Sequence, residues 1–388
     1  MLEEKQYQYA FVFGSHPELS MAELEAVLTQ QGLTILELRR HQQICFVHTR
    51  EAIDAGNMMN LLGGTVKIVE MCGKFDEEIL MDWLMMQINT ETKFHFGFSV
   101  YALEAGVSLN KYLRVIHALG LQLKKIFKAA GISARFVSAK EVVLSSVIVH
   151  KERLLKNGVE VVLFKSHDGL LFGKTLAVQP FQEFSRRDYG RPSRDFRSGM
   201  LPPKLARMMV NLARPTAESV VLDPFCGSGT VLQEALLLGY THVIGSDISE
   251  KAIADTRENL AWMKFENIPL FVTDARDLIK NHTLPEHSVD RMVFEGFLGK
   301  PTPRAEKIPG IIQELRKLYT ETFPVLVRLL KPNGHIVAAL PYWYANNASQ
   351  FLPIEQMLKS AGLRLERSPL FYRRPQSTVG RQILIMVK

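Results

Sequence analysis

The chain has 388 residues, a length that predicts two or three domains, and its apolar fraction of 47% is typical of a globular protein. Its first residues lack a basic start followed by an apolar core, and no apolar run approaches the roughly 18 residues of a membrane span, so we expect neither a signal peptide nor a membrane protein. The three cysteines, Cys45, Cys72 and Cys226, lack the spacing of a zinc site, which predicts a reducing, cytoplasmic location and no bound metal.

The net charge of +7 is unevenly distributed along the chain. Residues 101–200 carry 17 Lys and Arg against 8 Asp and Glu, and residues 301–388 carry 13 against 5. Such an excess is often only a solvated surface. Here the two basic blocks flank the glycine-rich turn described below, which favours a polyanionic partner such as a nucleic acid.

The first 80 residues predict a small α+β domain. Tyr9–Phe13 and Gln43–Val47 are apolar runs that read as strands, and between them Met21–Leu28 reads as a helix. Ser20 followed by Glu23 three residues later has the spacing of a capping box, so we expect Ser20 to be the N-cap of this helix.

Residues 81–178 predict a second domain with a basic helix. A strand is expected at Phe96–Val100, and a further strand pair near Val142–Leu144 and Val159–Phe164. Between the first of these strands and the strand pair, residues 112–130 predict an amphipathic helix that carries Lys124 and Lys125. Its basic face has two open interpretations, ordinary packing with solvated lysines or a surface that contacts RNA.

Residues 179–202 are polar and turn-rich, which predicts a linker between domains. Their arginine content is high for an inert linker. We therefore expect phosphate contacts from four side chains, Arg186, Arg187, Arg191 and Arg194, whose removal would flatten the salt dependence of RNA binding.

From residue 203 to the end, strand and helix patterns alternate, which predicts a mostly parallel, doubly wound α/β sheet. The stretch 223–230, Asp-Pro-Phe-Cys-Gly-Ser-Gly-Thr, follows a strand and precedes a helix. Gly227 and Gly229 let the backbone approach a ligand, but the turn has neither the Lys-Ser/Thr of a P-loop nor the spacing of a dinucleotide fingerprint. Cys226 is interpreted as a small residue that suits a tight turn.

Acidic residues follow three successive predicted strands of this domain. Asp223 opens the turn and suits a cationic ligand group rather than a pyrophosphate. Asp247 is placed to accept the hydroxyls of a ribose, and Asp274 to accept the amine of an adenine. Together they predict a binding site for S-adenosylmethionine, whose methionine end carries an ammonium and a sulfonium.

The chain resembles the THUMP-containing tRNA guanosine-N2 methyltransferases, which modify the guanosine at position ten of tRNA. The resemblance lies in Arg187-Asp188-Tyr189 with Arg191, Pro192 and Asp195, in the segment Gly199–Ala213, and in the turn Asp223–Thr230. It implies a Rossmann-like class I methyltransferase domain over residues 203–388. Before it would come a ferredoxin-like domain over 1–80 and a THUMP RNA-binding domain over 81–178.

The resemblance also implies the binding residues for the methyl donor. They would be Met200, Leu201, Asp223, Phe225, Cys226, Gly227, Gly229, Thr230, Asp247, Ile248, Asp274 and Ala275. Some relatives require a small partner subunit, so an activator is an open possibility.

The acceptor side departs from the family pattern. Amino-methylating enzymes carry Asp or Asn followed by Pro-Pro-Tyr after the fourth strand, whereas this chain has Glu295-Gly296-Phe297. Glu295 still accepts a hydrogen bond and Phe297 still stacks on an extruded base, but Gly296 replaces a rigid proline. Two interpretations follow, an active enzyme in which Glu295 positions the acceptor amine, and a silent or weakly active tRNA-binding homologue. A third candidate is an amino-methyltransferase of ribosomal RNA or of DNA adenine, and the THUMP-like half argues against DNA.

Overall fold

The computed structural model describes residues 6–89, 91–194, 200–280, 283–300 and 302–388. Asp195 and Gly199 of the family motif lie outside the described residues. The chain forms two units, one from Met1–Pro17, Gln31–Leu61 and Thr65–Phe181, and one from Glu18–Gln30, Leu62–Gly64 and Gln182–Lys388. Among the helices of the described residues, none combines the length and apolar character needed to cross a bilayer.

The elements before residue 180 alternate short helices with strands. In chain order they are β1 (Tyr7–Phe13), α1 (Pro17–Gln30), β2 (Ile35–His41), β3 (Ile44–Thr49), α2 (Ala55–Leu61), β4 (Thr65–Lys74), α3 (Glu77–Gln87), β5 (Phe94–Ala102), α4 (Asn110–Ala129), β6 (Ala134–Val137), α5 (Ser146–Lys151), β7 (Gly158–Lys165) and β8 (Leu170–Val178). Among the described residues, eight strands form one sheet in the order β2-β3-β1-β4-β8-β7-β5-β6. It is antiparallel except where β5 pairs with β6 and β7.

A buried ionic cluster holds the middle of this sheet. Glu160 on β7 is fully buried and pairs with the ammonium of Lys67 on β4. Its carboxylate also accepts hydrogen bonds from Ser99 on β5 at 2.5 Å and Thr175 on β8 at 2.7 Å. The boundary predicted near residue 80 therefore falls inside one continuous sheet, because β1 and β4 share it with β5, β7 and β8.

The segment 142–144, predicted as a strand, is irregular in the structure. The Leu144 N–H donates to Ser99 Oγ at 2.8 Å, and the Leu144 carbonyl accepts from Lys67 Nζ at 2.7 Å. Side chains of the buried cluster thus take the backbone groups that a strand would present to a neighbour. The basic helix was placed correctly, since α4 buries Ile116 and Phe127 and exposes Lys124 and Lys125.

The predicted capping box is wrong, because α1 begins at Pro17 and Ser20 lies inside it. Proline suits the first helical position, where its missing N–H needs no partner. The Ser20 hydroxyl donates instead to the Gly64 carbonyl at 3.2 Å. Glu23 is fully buried and accepts hydrogen bonds from the N–H groups of Gly63 and Gly64, each at 2.8 Å, and from Asn211 at 2.7 Å.

The second half of the chain forms the doubly wound sheet that the strand and helix alternation predicts. Its elements are α6 (Phe181–Tyr189), α7 (Pro203–Ala213), β9 (Val221–Asp223), α8 (Thr230–Leu237), β10 (Val243–Asp247), α9 (Glu250–Trp262), β11 (Leu270–Val272), β12 (Val289–Glu295), α10 (Ile308–Leu329), β13 (Leu330–Ala345), β14 (Ala348–Phe351), α11 (Ile354–Ala361), β15 (Arg364–Leu365), β16 (Leu370–Tyr372) and β17 (Val379–Val387). In the described part of the chain the sheet runs β11-β10-β9-β12-β13-β17-β15, with β14 on β13 and β16 on β17. The first five strands are parallel, and β17 is antiparallel to β13.

A helix of nine residues, α6, lies within the predicted linker. In α6 the buried side chains Phe184 and Arg187 lie three residues apart and so share one helix face. Arg187 pairs with Glu234 at 2.6 Å, and Glu234 also pairs with Arg207 at 2.7 Å. Both guanidinium groups lie over the Phe184 ring, at 4.6 and 5.3 Å from its centre. The predicted phosphate contact of Arg187 is therefore corrected, because this side chain is buried and paired inside the unit.

Removing the charge of Glu234 leaves two buried guanidinium groups without this counter-ion. We expect Glu234→Gln to lower the free energy of unfolding by about 3–5 kcal/mol, the usual effect of breaking a buried ion pair from one side. Urea denaturation measures this change. Glu218→Gln, at an exposed position, is the matched control and should leave the urea midpoint in place; equal midpoints for the two variants would contradict the prediction.

Candidate functional site

A cleft of about 540 Å³ lies at the carboxyl ends of the parallel strands. Strand β9 lies between β10 and β12, and chain order reverses there, which is where open α/β sheets bind ligands. Asp223, Asp247 and Glu295 are the last residues of β9, β10 and β12, and Asp274 follows β11 by two residues. All four acids line the cleft.

The cleft brings together most of the residues predicted from the sequence. Its lining includes Met200, Leu201, Asp223, Phe225, Cys226, Gly227, Thr230, Asp247, Ile248, Asp274, Ala275, Glu295, Gly296 and Phe297. Gly229 takes a different place, as the N-cap of α8 with φ +81°. A Cβ there would come within 2.8 Å of the Thr256 side chain, so glycine meets both a steric and a conformational requirement.

The glycine-rich turn is attached to the end of β10. The Gly227 N–H donates to Asp247 Oδ2 at 3.0 Å, and the Cys226 N–H donates to the Ser246 carbonyl at 2.9 Å. The other Asp247 oxygen accepts from the Ser249 N–H at 2.9 Å. Asp247 therefore orients the turn in addition to facing the cleft.

Negative charge is concentrated and poorly solvated at this edge of the sheet. Burial raises the pKa of Asp223 well above its usual value, and the charges of Asp247 and Glu295 raise it further. A hydrogen bond from the Phe225 N–H to Asp223 Oδ1, at 3.0 Å, opposes the shift. A positively charged ligand bound here would relieve this repulsion, so the site favours a cationic ligand.

Cys226 has the character of a packing residue. Its side chain is 5% exposed, and burial together with the charges of Asp223 and Asp247 raises the pKa of its thiol well above the usual value. A thiol that keeps its proton is a poor nucleophile.

Asp274 is held by a neighbouring arginine. Arg276 donates from Nε to one oxygen at 3.0 Å and from Nη2 to the other at 2.7 Å, and these side-chain hydrogen bonds lower the pKa of Asp274. The carboxylate is thus charged and fixed in orientation beside the cleft.

Arg191 is only 2% exposed and contacts two residues of the cleft wall from behind, so an RNA phosphate at the protein surface cannot reach it. Its predicted phosphate contact is therefore corrected. Nη1 donates to Thr230 Oγ1 at 2.6 Å, and Nη2 contacts Met200 Sδ at 2.9 Å. The buried Nε has no hydrogen-bond partner among the described residues. Of the other two predicted phosphate contacts, Arg186 is exposed and Arg194 is half-buried.

Glu295, at the acceptor end of the cleft, is paired with an arginine of the antiparallel strand β17. Arg381 Nε donates to Glu295 Oε1, and both side chains are largely buried. Burial raises the pKa of Glu295, and the charge and hydrogen bond of Arg381 oppose that shift.

Position 296 must be a glycine, because the Tyr319 side chain fills the space that a larger residue would need. A Cβ at this position would lie 2.4 Å from the Tyr319 hydroxyl, so neither alanine nor proline fits. The Gly296 N–H donates to the Ala339 carbonyl at 3.0 Å, and the Tyr319 hydroxyl donates to the Phe297 carbonyl at 2.7 Å. Hydrogen bonds on both sides of the 296–297 peptide thus supply rigidity that the sequence pattern lacked, and Phe297 remains 57% exposed.

Sequence reasoning missed Tyr319 and Arg381 as parts of this site. Tyr319 lies on α10 and Arg381 on β17, 22 and 86 residues from their partners. No local motif marks either residue. The one available signal was the basic character around Arg381, which did not indicate its partner.

Two family models match parts of the chain. Residues 191–344 match the model described as RMKL-like, methyltransferase domain, and residues 107–258 match a model described as DNA methylase. The first range contains the cleft residues described above.

Curated relatives match a segment of the chain. One is named tRNA (guanine(10)-N2)-dimethyltransferase, from Methanothermobacter thermautotrophicus, 34% identical over 46% of this chain and 49% of its own length. Another is the U6 snRNA (guanine-N(2))-methyltransferase THUMPD2 of Bos taurus, 31% identical over 34% of this chain and 26% of its own length. The chain thus aligns with half or less of these two proteins.

The solved structure of TrmN from Thermus thermophilus shares the fold along the chain. It has a TM-score of 0.57 at 20% identity and covers 99% of this chain and 100% of its own. Residues 191–344 thus match a methyltransferase domain model, and the likeness to TrmN shows that the two chains share a fold.

Proposed function

We propose that this chain transfers a methyl group from S-adenosylmethionine to the exocyclic amine of a guanosine in tRNA, at position ten. The observation that carries the proposal is the cleft itself, which joins the acidic strand ends and the glycine-rich turn to a rigid Glu295-Gly296-Phe297 acceptor edge. Relatives named as guanine-N2 methyltransferases support the same chemistry.

The donor side suits the charges of S-adenosylmethionine. When bound, this cofactor supplies a methyl group activated by a sulfonium. The acids Asp223 and Asp247 offer a negative environment for its ammonium and sulfonium, and Asp274 is placed for the adenine. The methionine carboxylate needs a cation, and Arg191 has a buried guanidinium whose Nε lacks a partner in the described part of the chain.

On the acceptor side, the residues act by positioning. A guanine exocyclic amine is a weak nucleophile, because its lone pair is shared with the ring. Glu295 and the Gly296 carbonyl accept its N–H groups, which directs the lone pair toward the methyl group, and Phe297 stacks on the base. Bound S-adenosylmethionine would supply the methyl group in line: the N–C bond would form as the S–C bond breaks, S-adenosylhomocysteine would leave, and the proton lost from the amine would pass to Glu295 or to water.

The first half of the chain is assigned the task of holding the RNA. We propose that a ferredoxin-like part (residues 1–80) and a THUMP-like part (residues 81–178) share the eight-stranded sheet, with Lys124 and Lys125 of α4 exposed for phosphate contacts. In the second unit, Arg186, whose guanidinium lies 4.9 Å from the centre of the Trp262 ring, and Arg194 are proposed as further phosphate contacts. The three cysteines are free thiols, in keeping with a cytoplasmic enzyme.

The test is transfer of labelled methyl from S-adenosylmethionine to unmodified bulk tRNA by the purified chain, followed by nucleoside analysis. We expect label in N2-methylguanosine, and Glu295→Ala should lower the rate by about 10²-fold or more, because it removes a positioned catalytic group. Binding of S-adenosylhomocysteine by the variant serves as the folding control. The same assay is repeated with U6 snRNA and with ribosomal RNA. Label in one of these RNAs and none in tRNA would contradict the assignment of tRNA as the substrate.

Absence of label with the donor product bound would favour the silent tRNA-binding homologue or a missing activator subunit. Adding cell extract from the source organism separates these two. An unchanged rate for Glu295→Ala would remove this residue from the mechanism while leaving the activity intact.

A second prediction concerns the cation behind the donor site. We expect Arg191→Gln to weaken binding of S-adenosylhomocysteine by about 10- to 100-fold, the scale of a charge-assisted hydrogen bond. Binding of the decarboxylated analogue should hardly change, because it lacks the group that Arg191 recognises. Calorimetry measures both affinities, and Arg186→Gln is the control. An equal reduction in affinity for the two ligands would mean that Arg191 acts only through folding.

A third prediction uses the ion pair at the acceptor edge. Burial raises the pKa of Glu295 and Arg381 opposes that rise, so Arg381→Gln should raise the pKa further. Activity that needs the carboxylate falls as pH drops through this pKa, so the acid limb of the rate profile should move to higher pH. Arg367→Gln, which removes a surface pair with Glu25, is the control. A rate reduced equally at every pH would contradict the prediction.

A further inference from the structure

The strand β13 continues well past the acceptor site. Glu295, the last residue of β12, is paired with Ala339, and β13 runs on to Ala345. At about 3.3 Å per residue, this end of β13 lies about 20 Å beyond Glu295 along the strand. Strand β14 pairs with this extension on one side, and the start of β17 pairs with it on the other. The extension therefore projects from the carboxyl edge of the sheet, where the acceptor site lies.

Aromatic side chains cover the extension. Tyr342 stacks on Phe351 with ring centres 5.3 Å apart and meets Phe371 edge-on at 5.4 Å. Phe351 and Phe371 are 45% and 46% exposed, and Tyr344 is 37% exposed. We refer to Tyr342, Tyr344, Phe351 and Phe371 as the aromatic platform.

A glycine makes room for this arrangement. Gly380 on β17 is paired with Tyr342, and a Cβ there would lie 2.3 Å from the Tyr342 ring. The ring therefore lies across the neighbouring strand. This lets Tyr342 contact Phe351 on β14 and Phe371 on β16 at the same time. Residues of four strands, β13, β14, β16 and β17, thus form this arrangement. Two of the platform's rings, Phe351 and Phe371, remain nearly half exposed.

Positive charge accompanies the exposed rings. The Arg373 guanidinium lies 4.5 Å from the centre of the Tyr344 ring and donates to the carbonyls of Pro375 and Ser377 at 3.3 and 3.1 Å. Arg374 beside it is exposed. From residue 367 to residue 388 the sequence has five basic residues and no acidic one. Exposed aromatic rings next to arginines are the chemistry that binds single-stranded nucleic acid, by stacking and by phosphate contact.

The platform is also connected to the acceptor residue. Tyr372, between Phe371 and Arg373 in the sequence, lies against Arg381, whose guanidinium is 6.0 Å from the Tyr372 ring centre. Arg381 in turn pairs with Glu295. The strand β16, which carries part of the platform, thus reaches the acceptor edge through two side-chain contacts.

We propose that the aromatic platform binds the unpaired nucleotides that flank the target base, by stacking on Phe351 and Phe371 and by phosphate contacts to Arg373 and Arg374. This inference rests on the proposed RNA methyltransferase function and adds a second RNA contact surface in the catalytic domain. The platform would hold the strand on the acceptor side of the cleft while the target base enters beside Phe297.

The test measures RNA binding without methyl transfer, by fluorescence anisotropy of a mixed-sequence single-stranded RNA and of unmodified tRNA, with S-adenosylhomocysteine present. We expect Phe351→Leu combined with Phe371→Leu to weaken RNA binding by about 10-fold or more, since leucine keeps apolar bulk but offers no ring on which a base can stack. Arg373→Gln combined with Arg374→Gln should lower the slope of log affinity against log salt by about 0.7 for each phosphate that the variant no longer neutralises.

Matched controls separate this surface from folding and from catalysis. Met86→Ala removes an apolar side chain that is 80% exposed and should leave RNA binding unchanged. Affinity for S-adenosylhomocysteine and the melting temperature should be equal in all variants. Because no methyl transfer is measured, a catalytically silent chain would still show the effect, so failure of the proposed activity is distinguishable from failure of the platform.

Three results would overturn the inference. One is unchanged RNA binding by the leucine variants. Another is reduced self-association in light scattering with RNA binding intact, which would make the platform a contact between copies of this chain. The third is a wild-type chain that binds neither RNA.

Discussion

The constraint on which the second half of the chain depends is the concentration of carboxylates at one edge of a parallel sheet. Parallel strands end together, so Asp223, Asp247 and Glu295 meet at the edge where the cleft opens. Each is stabilised by a different means, Asp223 by a backbone N–H, Asp247 by the N–H groups of the turn and Glu295 by Arg381. These donors do not offset the burial of Asp223 or the repulsion from Asp247 and Glu295, which together raise the pKa of Asp223 and favour a cationic ligand.

The buried arginines near this edge differ in whether a carboxylate pairs with them. Arg187 and Arg207 share the buried carboxylate of Glu234, which balances one of their two charges within the fold. Arg191 has a hydrogen bond to a hydroxyl and a contact to a thioether, and within the described ranges its Nε has no partner. Burying a guanidinium without a paired carboxylate costs free energy. A ligand carboxylate that pairs with Arg191 would offset this cost. The same arginine-rich segment thus supplies both a structural ion pair and a candidate ligand contact.

At the acceptor edge, a tertiary hydrogen bond restricts the backbone at Gly296, where the family pattern has a proline. A proline would restrict the backbone by its own ring, but the Tyr319 hydroxyl occupies the space that any Cβ at position 296 needs. That hydroxyl then donates to the Phe297 carbonyl and restores the restriction by a hydrogen bond. The departure from the family pattern is therefore compensated by a residue on α10, which weakens the sequence-based case for a silent homologue.

Local information in the sequence determined the strand–turn–helix around Gly227, the acids at the strand ends and the basic helix α4, because periodicity and turn chemistry act over a few residues. It failed for Ser20 and Glu23, whose spacing fits a capping box but whose partners are Gly63, Gly64 and Asn211. Only the tertiary structure decided that Arg187 and Arg191 are buried and that Arg381 and Tyr319 support the acceptor edge. The reason is physical: burial and long-range pairing depend on which elements pack together, and no short window of sequence contains that information.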